Sequence, residues 1–218
     1  MRKVIIHLLG GGPDYLLPDL SLYQEPDVVW VGVDRGVYTL IEKGIQPAIA
    51  FGDFDSVSEA EFSMIEERVH ELKKYKPEKD ETDMEHALNW AITQEPLLVR
   101  LFGSTGGRLD HMFGNVQLLL QASLDNPLVQ IEMIDVQNTI YIRTAGEYQI
   151  QKLAEKKYIS FIPLSNDVKG ITLKGFKYPL TNRHISLGST LCISNELIDD
   201  YGTFSFSEGI LMIVRSTD

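Results

Sequence analysis

Carboxylates, glycines and one arginine recur in four short runs in the first half of this chain. Gly52-Asp53-Phe54-Asp55-Ser56 sets two carboxylates two positions apart, just after an apolar run at 48–51. On an extended strand end, residues i and i+2 point the same way. Asp53 and Asp55 would then offer hard oxygens to Mg2+, with Gly52 allowing close backbone approach. The same run also reads as an acidic turn capped by Asp55 and Ser56. Lys79-Asp80-Glu81-Thr82-Asp83 leads into a helical pattern over 82–93. Thr82 and Glu85 carry the signature of a capping box. Asp83 is not needed for that cap and is left to be explained, while Lys79 and Asp80 just upstream could contact a phosphate and a metal respectively. A plain solvated surface is the competing reading of this run.

Gly103-Ser104-Thr105-Gly106-Gly107-Arg108 lies between a strand pattern at 97–102 and a helical pattern at 110–122. Glycines there leave backbone N–H groups free to cradle phosphate, and a helix N-terminus adds partial positive charge. Arg108 brings a fork of donors. The run is neither GxxxxGK[ST] nor GxGxxG. Asp110 and His111 open the helix, and Asn115 shares a face with His111 at i, i+4. Asp110 reads as a functional carboxylate beside Arg108 or as an N-cap. Gly114 inside this helix costs up to about 1 kcal/mol relative to alanine, which predicts close packing by a strand or ligand. Gly10-Gly11-Gly12 is a second such loop, or simply a tight turn. His7, His70 and His184 have no metal-ligand spacing, and neither HExxH nor GxSxG occurs.

These residues need a scaffold. Continuous apolar runs at 4–9, 28–33, 48–51, 72–75 and 97–102 read as strands. Helical spacing at 35–43, 58–69, 82–93 and 110–122 alternates with them. That alternation predicts a mostly parallel sheet with helices on both faces. After residue 126 the helical signal fades, and eight short strands follow at 129–134, 139–143, 147–150, 158–162, 170–173, 190–193, 203–206 and 210–214. The expected fold class is therefore α/β: a parallel-sheet domain at 1–126 plus a smaller all-β sandwich at 127–218.

Bulk properties narrow the function. The chain has 218 residues, 44% hydrophobic and 23% charged, the composition of a globular protein able to bury a core. A net charge of −11 argues against nucleic acid as the main partner. A nucleotide remains acceptable if a divalent metal supplies the positive charge. The lone Cys192 cannot form an intrachain disulfide and reads as a core residue. The apolar start runs at once into glycines and Pro13, so it reads as a strand and not a signal. No run approaches the roughly 18 apolar residues of a membrane helix. The expected location is the cytoplasm.

The order and spacing of Gly52–Ser56, Lys79–Asp83, Gly103–His111 and Ser194-Asn195-Glu196 together resemble the thiamine pyrophosphokinase (thiamine diphosphokinase) family, over essentially the whole chain. The resemblance implies an ATP- and Mg2+-binding catalytic domain, a thiamine-binding β-sandwich, and a homodimer with active sites at the subunit interface. It implies transfer of the diphosphate of ATP to thiamine, with release of AMP. Asp53, Asp55, Asp83 and Asp110 match the family's acidic catalytic positions, the first three as metal ligands. Asp34, Lys79, Gly103, Ser104, Thr105, Gly106, Arg108, His111 and Asn115 match the ATP side. Tyr178, Ser194 and Asn195 match the thiamine side. Tyr178 stands where many members carry Trp, and Arg35 follows Asp34 where others often have Gly. The Asp-x-Asp spacing alone also suits a Mg2+-dependent phosphohydrolase or glycosyltransferase, and the scaffold a non-catalytic sensor. Retention of every carboxylate favours the enzyme.

Overall fold

The computed structural model describes residues 4–74 and 80–218. They form two compact units, Met1–Val136 and Gln137–Asp218. Strands β1 (Ile5–Leu9), β2 (Val28–Val33), β3 (Ile49–Gly52), β4 (Leu72–Lys74), β5 (Leu98–Phe102) and β6 (Gln130–Ile134) make the sheet of the first unit. Helices α1 (Arg35–Glu42), α2 (Glu59–Arg68), α3 (Asp83–Thr93) and α4 (Leu109–Asp125) connect them. The strand order is β6-β5-β1-β2-β3-β4, with every pairing parallel. Ile6, Leu8, Val31, Ala50, Val99 and Leu101 are fully buried, as continuous apolar strands covered on both faces must be.

The chain runs outward from β1 to β4, then returns to place β5 on the other edge of β1. The direction of winding therefore reverses between β1 and β5. In open α/β sheets, ligands bind at the carboxyl edge of the strands beside such a switch point. Gly10 N–H donates to Phe102 O (2.9 Å) and Gly12 N–H to Gly103 O (2.9 Å), so both glycine loops meet at that edge. β6 completes this sheet, and the division between units falls ten residues later than the expected end at 126.

Local signals explain the helix starts. Ser58 and Glu61 form the expected capping box: Ser58 N–H donates to Glu61 Oε2 (2.7 Å) and Glu61 N–H to Ser58 Oγ (3.3 Å). Thr82 Oγ1 accepts Glu85 N–H at 3.2 Å. α4 begins differently: Arg108 occupies the cap position and Asp110 sits in the first turn. Gly114 is exposed, with open space where a Cβ would go, so among the described residues no strand of this chain packs against it. Gly114→Ala should therefore stabilise the protein by about 0.5–1 kcal/mol, read from urea unfolding.

One polar group lies deep in this sheet. His7 pairs in register with Trp30 on β2 and Arg100 on β5. It is fully buried, edge-on to Trp30 (4.6 Å) and Phe102 (5.4 Å). Arg100 Nη1 donates to His7 Nε2 (3.3 Å) and to Glu25. Burial, then the Arg100 charge, pushes the imidazole pKa from 6.5 down to about 4 against the opposing pull of Glu25. Between those values the unfolded chain binds more protons than the folded one, so stability rises with pH. The contribution is complete above pH 6.5 and is lost as pH falls to about 4. It amounts to about 3 kcal/mol. Urea midpoints at pH 7 and 4.5 should differ less in His7→Phe than in the native chain.

The second unit holds β7 (Asn138–Gln151), β8 (Tyr158–Pro163), β9 (Asp167–Lys174), β10 (Leu180–Ser186), β11 (Asn195–Glu196) and β12 (Tyr201–Ser216). All its strand pairs are antiparallel. β12 pairs β7 along one edge; on the other it pairs β9 with its first half and β8 with its second. Ile150, Phe161, Val168, Ile171, Phe204 and Ile213 share its core. Four expected short strands are really two long ones. Glu208-Gly209 reads as a turn, but it forms a bulge where the β12–β7 register shifts between Phe206 and Ile210 and pairing resumes. Gly209 takes φ 105, which suits such a bulge. Residues 190–193 form no strand, although Cys192 is in the core as expected. Among the described residues no helix is long and apolar enough to cross a membrane.

Candidate active site

Three carboxylates meet at the carboxyl edge of the first unit. Asp34 follows β2, Asp53 follows β3, and Asp83 opens α3 after β4. Each is half-buried and offers an oxygen, and the three oxygens lie within 4.8 Å of one another. Asp34 N–H donates to Phe51 O at 2.8 Å, tying the ends of β2 and β3 together. Asp34 has φ 49, a strained value for a residue with a side chain, and that side chain does not cap α1. Gly52 makes room for it: a Cβ there would lie 2.1 Å from Asp34 Oδ1. Asp83 stands in the first turn of α3, where the helix dipole favours an anion.

Asp55 stands outside this group and is exposed. The extended-strand premise fails because Phe54 has φ 61 and turns the chain between the two aspartates. Asp53 Oδ1 instead accepts Asp55 N–H at 3.0 Å, closing a tight Asx turn. Asp34, read from the sequence on the phosphate side, takes the third place in the cluster. Its sequence signal is an aspartate at the end of a buried strand adjacent to β3.

Three carboxylate oxygens suit a hard divalent cation. Octahedral Mg2+ with oxygens at about 2.1 Å spans about 4.2 Å between opposite ligands. Oxygens within 4.8 Å of one another are within reach of one such ion, and three like charges packed together call for a cation between them.

The glycine loop after β5 is held from below. Ser104 and Thr105 are buried, with Ser104 Oγ on Leu101 O (3.4 Å) and Thr105 Oγ1 donating to Asp135 Oδ2 (2.7 Å). Asn115 Nδ2 donates to Ser104 O at 2.9 Å. These side chains turn inward, so the loop presents backbone at Gly106 and Gly107. Arg108 and Asp110 project outward as a two-bond ion pair, Nη2 to Oδ2 at 2.6 Å and Nε to Oδ1 at 3.2 Å. The Arg108 hydrogen bond holds the Asp110 carboxyl below its usual range, and the Asp110 hydrogen bond raises Arg108. Asp110 is outside the three-carboxylate group, and His111 is exposed. Lys79 lies outside the described residues. Asp135 drew no attention in the sequence, where its only mark is its place just after the apolar strand β6.

The second unit carries the other predicted residues. Tyr178 is exposed, with Lys177 Nζ 5.6 Å from its ring centre. Asn195 is buried, with both side-chain heteroatoms hydrogen-bonded. Its Oδ1 accepts Tyr178 N–H (3.1 Å) and Glu196 N–H (2.9 Å), and its Nδ2 donates to Tyr178 O (2.9 Å). It therefore fixes the backbone beneath Tyr178. Ser194 is exposed at φ 57, its N–H on Ser160 Oγ (2.9 Å). Glu196 bridges Lys177 (2.8 Å) and Lys157 (3.6 Å).

A parallel sheet with a switch point, an acidic cluster and a glycine loop at one edge has the layout of α/β proteins that take phosphorylated ligands. The family model described as thiamin pyrophosphokinase, catalytic domain, matches residues 20–131. The model described as thiamin pyrophosphokinase, vitamin B1 binding domain, matches residues 147–211. The thiamine pyrophosphokinase of Bacillus subtilis (strain 168) is 52% identical over 98% of this chain and 99% of its own length. The crystal structure of that enzyme superposes with a TM-score of 0.93 over the same shares. The crystal structure of thiamin pyrophosphokinase from Geobacillus thermodenitrificans is 54% identical, with a TM-score of 0.91 over 99% of this chain and 98% of that one. The chain belongs to the thiamin pyrophosphokinase family.

Proposed function

We propose that this enzyme transfers the diphosphate of ATP to the hydroxyl of thiamine, giving thiamine diphosphate and AMP, with Mg2+ held by Asp34, Asp53 and Asp83. The observation that carries the metal assignment is the convergence of those three carboxylates beside the glycine loops. A Cβ on Gly10 would lie 2.8 Å from Met84 of α3, and one on Gly11 3.3 Å from Arg35 of α1. The loop after β1 thus runs between the two helix starts that carry Asp34 and Asp83.

The reaction forms a bond from the thiamine hydroxyl oxygen to the β-phosphorus of ATP. It breaks the bond from that phosphorus to the oxygen bridging to the α-phosphate, and the hydroxyl proton leaves to water. Mg2+ when bound neutralises phosphate charge that an acidic pocket would otherwise repel. The backbone N–H groups of Gly106 and Gly107 donate to phosphate oxygens as charge shifts toward the leaving group. Arg108 is exposed and exchanges Asp110 for a phosphate oxygen. Residues 1–126 of the sequence-based division supply the ATP side. The β-rich unit supplies the thiamine side through Tyr178, whose ring can stack on the vitamin.

The reading extends to a cytoplasmic homodimer with the active site at the subunit interface. Exposed Leu109 and Phe113 on α4 of the first unit, and separately Leu191, Ile193 and Ile198 in the second, support self-association. Sedimentation should give twice the 24.6 kDa chain mass. Incubation with ATP, Mg2+ and thiamine should yield AMP and thiamine diphosphate in equal amounts, and EDTA should abolish both. ADP with thiamine monophosphate would instead mean single-phosphoryl transfer and overturn the proposal.

A further inference from the structure

We infer that Asp135 is a positioning residue for ATP: through Thr105 it holds the loop Gly103–Arg108 in the conformation that receives the polyphosphate. The inference rests on the reading of that loop as the phosphate site. Ile134, the last residue of β6, is the register partner of Phe102, the last residue of β5. Asp135 therefore leaves the sheet level with Gly103, where the loop begins. It is 4% exposed and Thr105 6%, and their hydrogen bond is 2.7 Å long.

A carboxylate is costly to bury, and hydrogen bonds to it are what make the position tolerable. Sited at the carboxyl edge, an outward-facing Asp135 would repel the polyphosphate. Turned inward onto Thr105, it spends its charge on the loop.

The loop needs such a hold. Gly103, Gly106 and Gly107 have φ 58, 71 and 61, which glycine adopts readily, but the same lack of a Cβ leaves a glycine-rich segment many alternatives. Ordering it on binding would subtract from ATP affinity. Two anchors act on successive residues from two elements: Asn115 of α4 grips Ser104 O, and Asp135 after β6 grips the Thr105 hydroxyl. Residues 106–108 are then left as the part that meets the ligand. Asp135 acts through Thr105 and touches no substrate.

The test is steady-state kinetics and thermal unfolding of Thr105→Val, Thr105→Ser, Asp135→Ala and the Thr105→Val/Asp135→Ala double variant. Thr105→Val should raise KM for MgATP about tenfold, the worth of one buried hydrogen bond. It should leave KM for thiamine within about twofold. Thr105→Ser, which keeps the hydroxyl, should restore the native KM. The double variant should be no worse than Asp135→Ala alone, since both remove one interaction. Thr105→Val is nearly isosteric and carries the test should Asp135→Ala fail to fold. Native KM for MgATP in Thr105→Val, failure of Thr105→Ser to restore it, or additive effects in the double variant would each overturn the inference. Failure of the underlying reading looks different: Arg108→Ala would leave KM for MgATP unchanged, or the native enzyme would not consume ATP with thiamine.

Discussion

Asp34→Asn and Asp53→Asn should each lower turnover by about 10²–10³-fold at saturating substrates, the usual loss when one preorganised electrostatic partner is removed. Asp55→Asn should lose less than about tenfold, because Asp55 stands outside the carboxylate group and contributes its N–H, not its side chain, to the Asp53 turn. The contrast separates the geometry from the Asp-x-Asp spacing, which puts Asp55 in the cluster and leaves Asp34 out of it. A second readout needs no turnover. Three carboxylates with oxygens within 4.8 Å repel one another when no cation lies between them. Replacing one by its neutral amide should raise the melting temperature of the EDTA-treated protein by about 2–4 °C, for about 1 kcal/mol relieved. Mg2+ should then stabilise the native chain and leave the variants nearly unmoved. Equal losses from Asp55→Asn and Asp34→Asn, with Mg2+ still stabilising Asp34→Asn, would remove Asp34 from the metal set.

Gly36→Ala should destabilise the first unit by about 3 kcal/mol or more, as overpacking against an unyielding neighbour does. A Cβ on Gly36 would lie 1.9 Å from Leu9 O, 2.6 Å from Leu9 C and 2.9 Å from Gly10 O. All three are backbone atoms at the end of β1, so no side chain can swing aside. The start of α1 must back away from the sheet, taking Asp34 with it. Activity should fall further than the unfolded fraction explains, because the carboxylate cluster and the loop at Gly10 shift together. Urea unfolding and Mg2+ titration on the same sample separate these losses. A variant with native midpoint and native Mg2+ response would mean that α1 is less tightly seated than its contacts indicate.

Short-range rules account for what could be read without coordinates. Buried apolar runs specify β1, β2, β3 and β5 because a parallel strand covered on both faces leaves no room for polar alternation. Ser58 with Glu61 marks the start of α2 because both halves of the cap lie within one turn. The end of the parallel sheet was less legible. β6 carries no helix after it, so it blends with the strands that follow, and only its pairing with β5 assigns it to the first unit.

The site depended more heavily on tertiary structure. Asp34, Asp53 and Asp83 are far apart in sequence, and only the strand order β2-β3-β4 brings their strand ends to one edge. Asp53 and Asp55 are close in sequence, yet one positive φ at Phe54 separates their side chains. Ser104, Thr105 and Asn115 have the types expected of ligand contacts, but packing turns them inward as anchors for a loop whose backbone does the facing. Asn195 likewise spends its amide on the backbone of Tyr178. The amino-acid order by itself determined the residue types, the caps and the apolar strands, because these depend on neighbours within a few positions, and the family resemblance, because that rests on the order and spacing of motifs along the chain. Which carboxylates meet at one edge, and which polar side chains turn into the core, was decided by hydrogen bonds and close approaches between strands distant in sequence, and no local pattern encodes those.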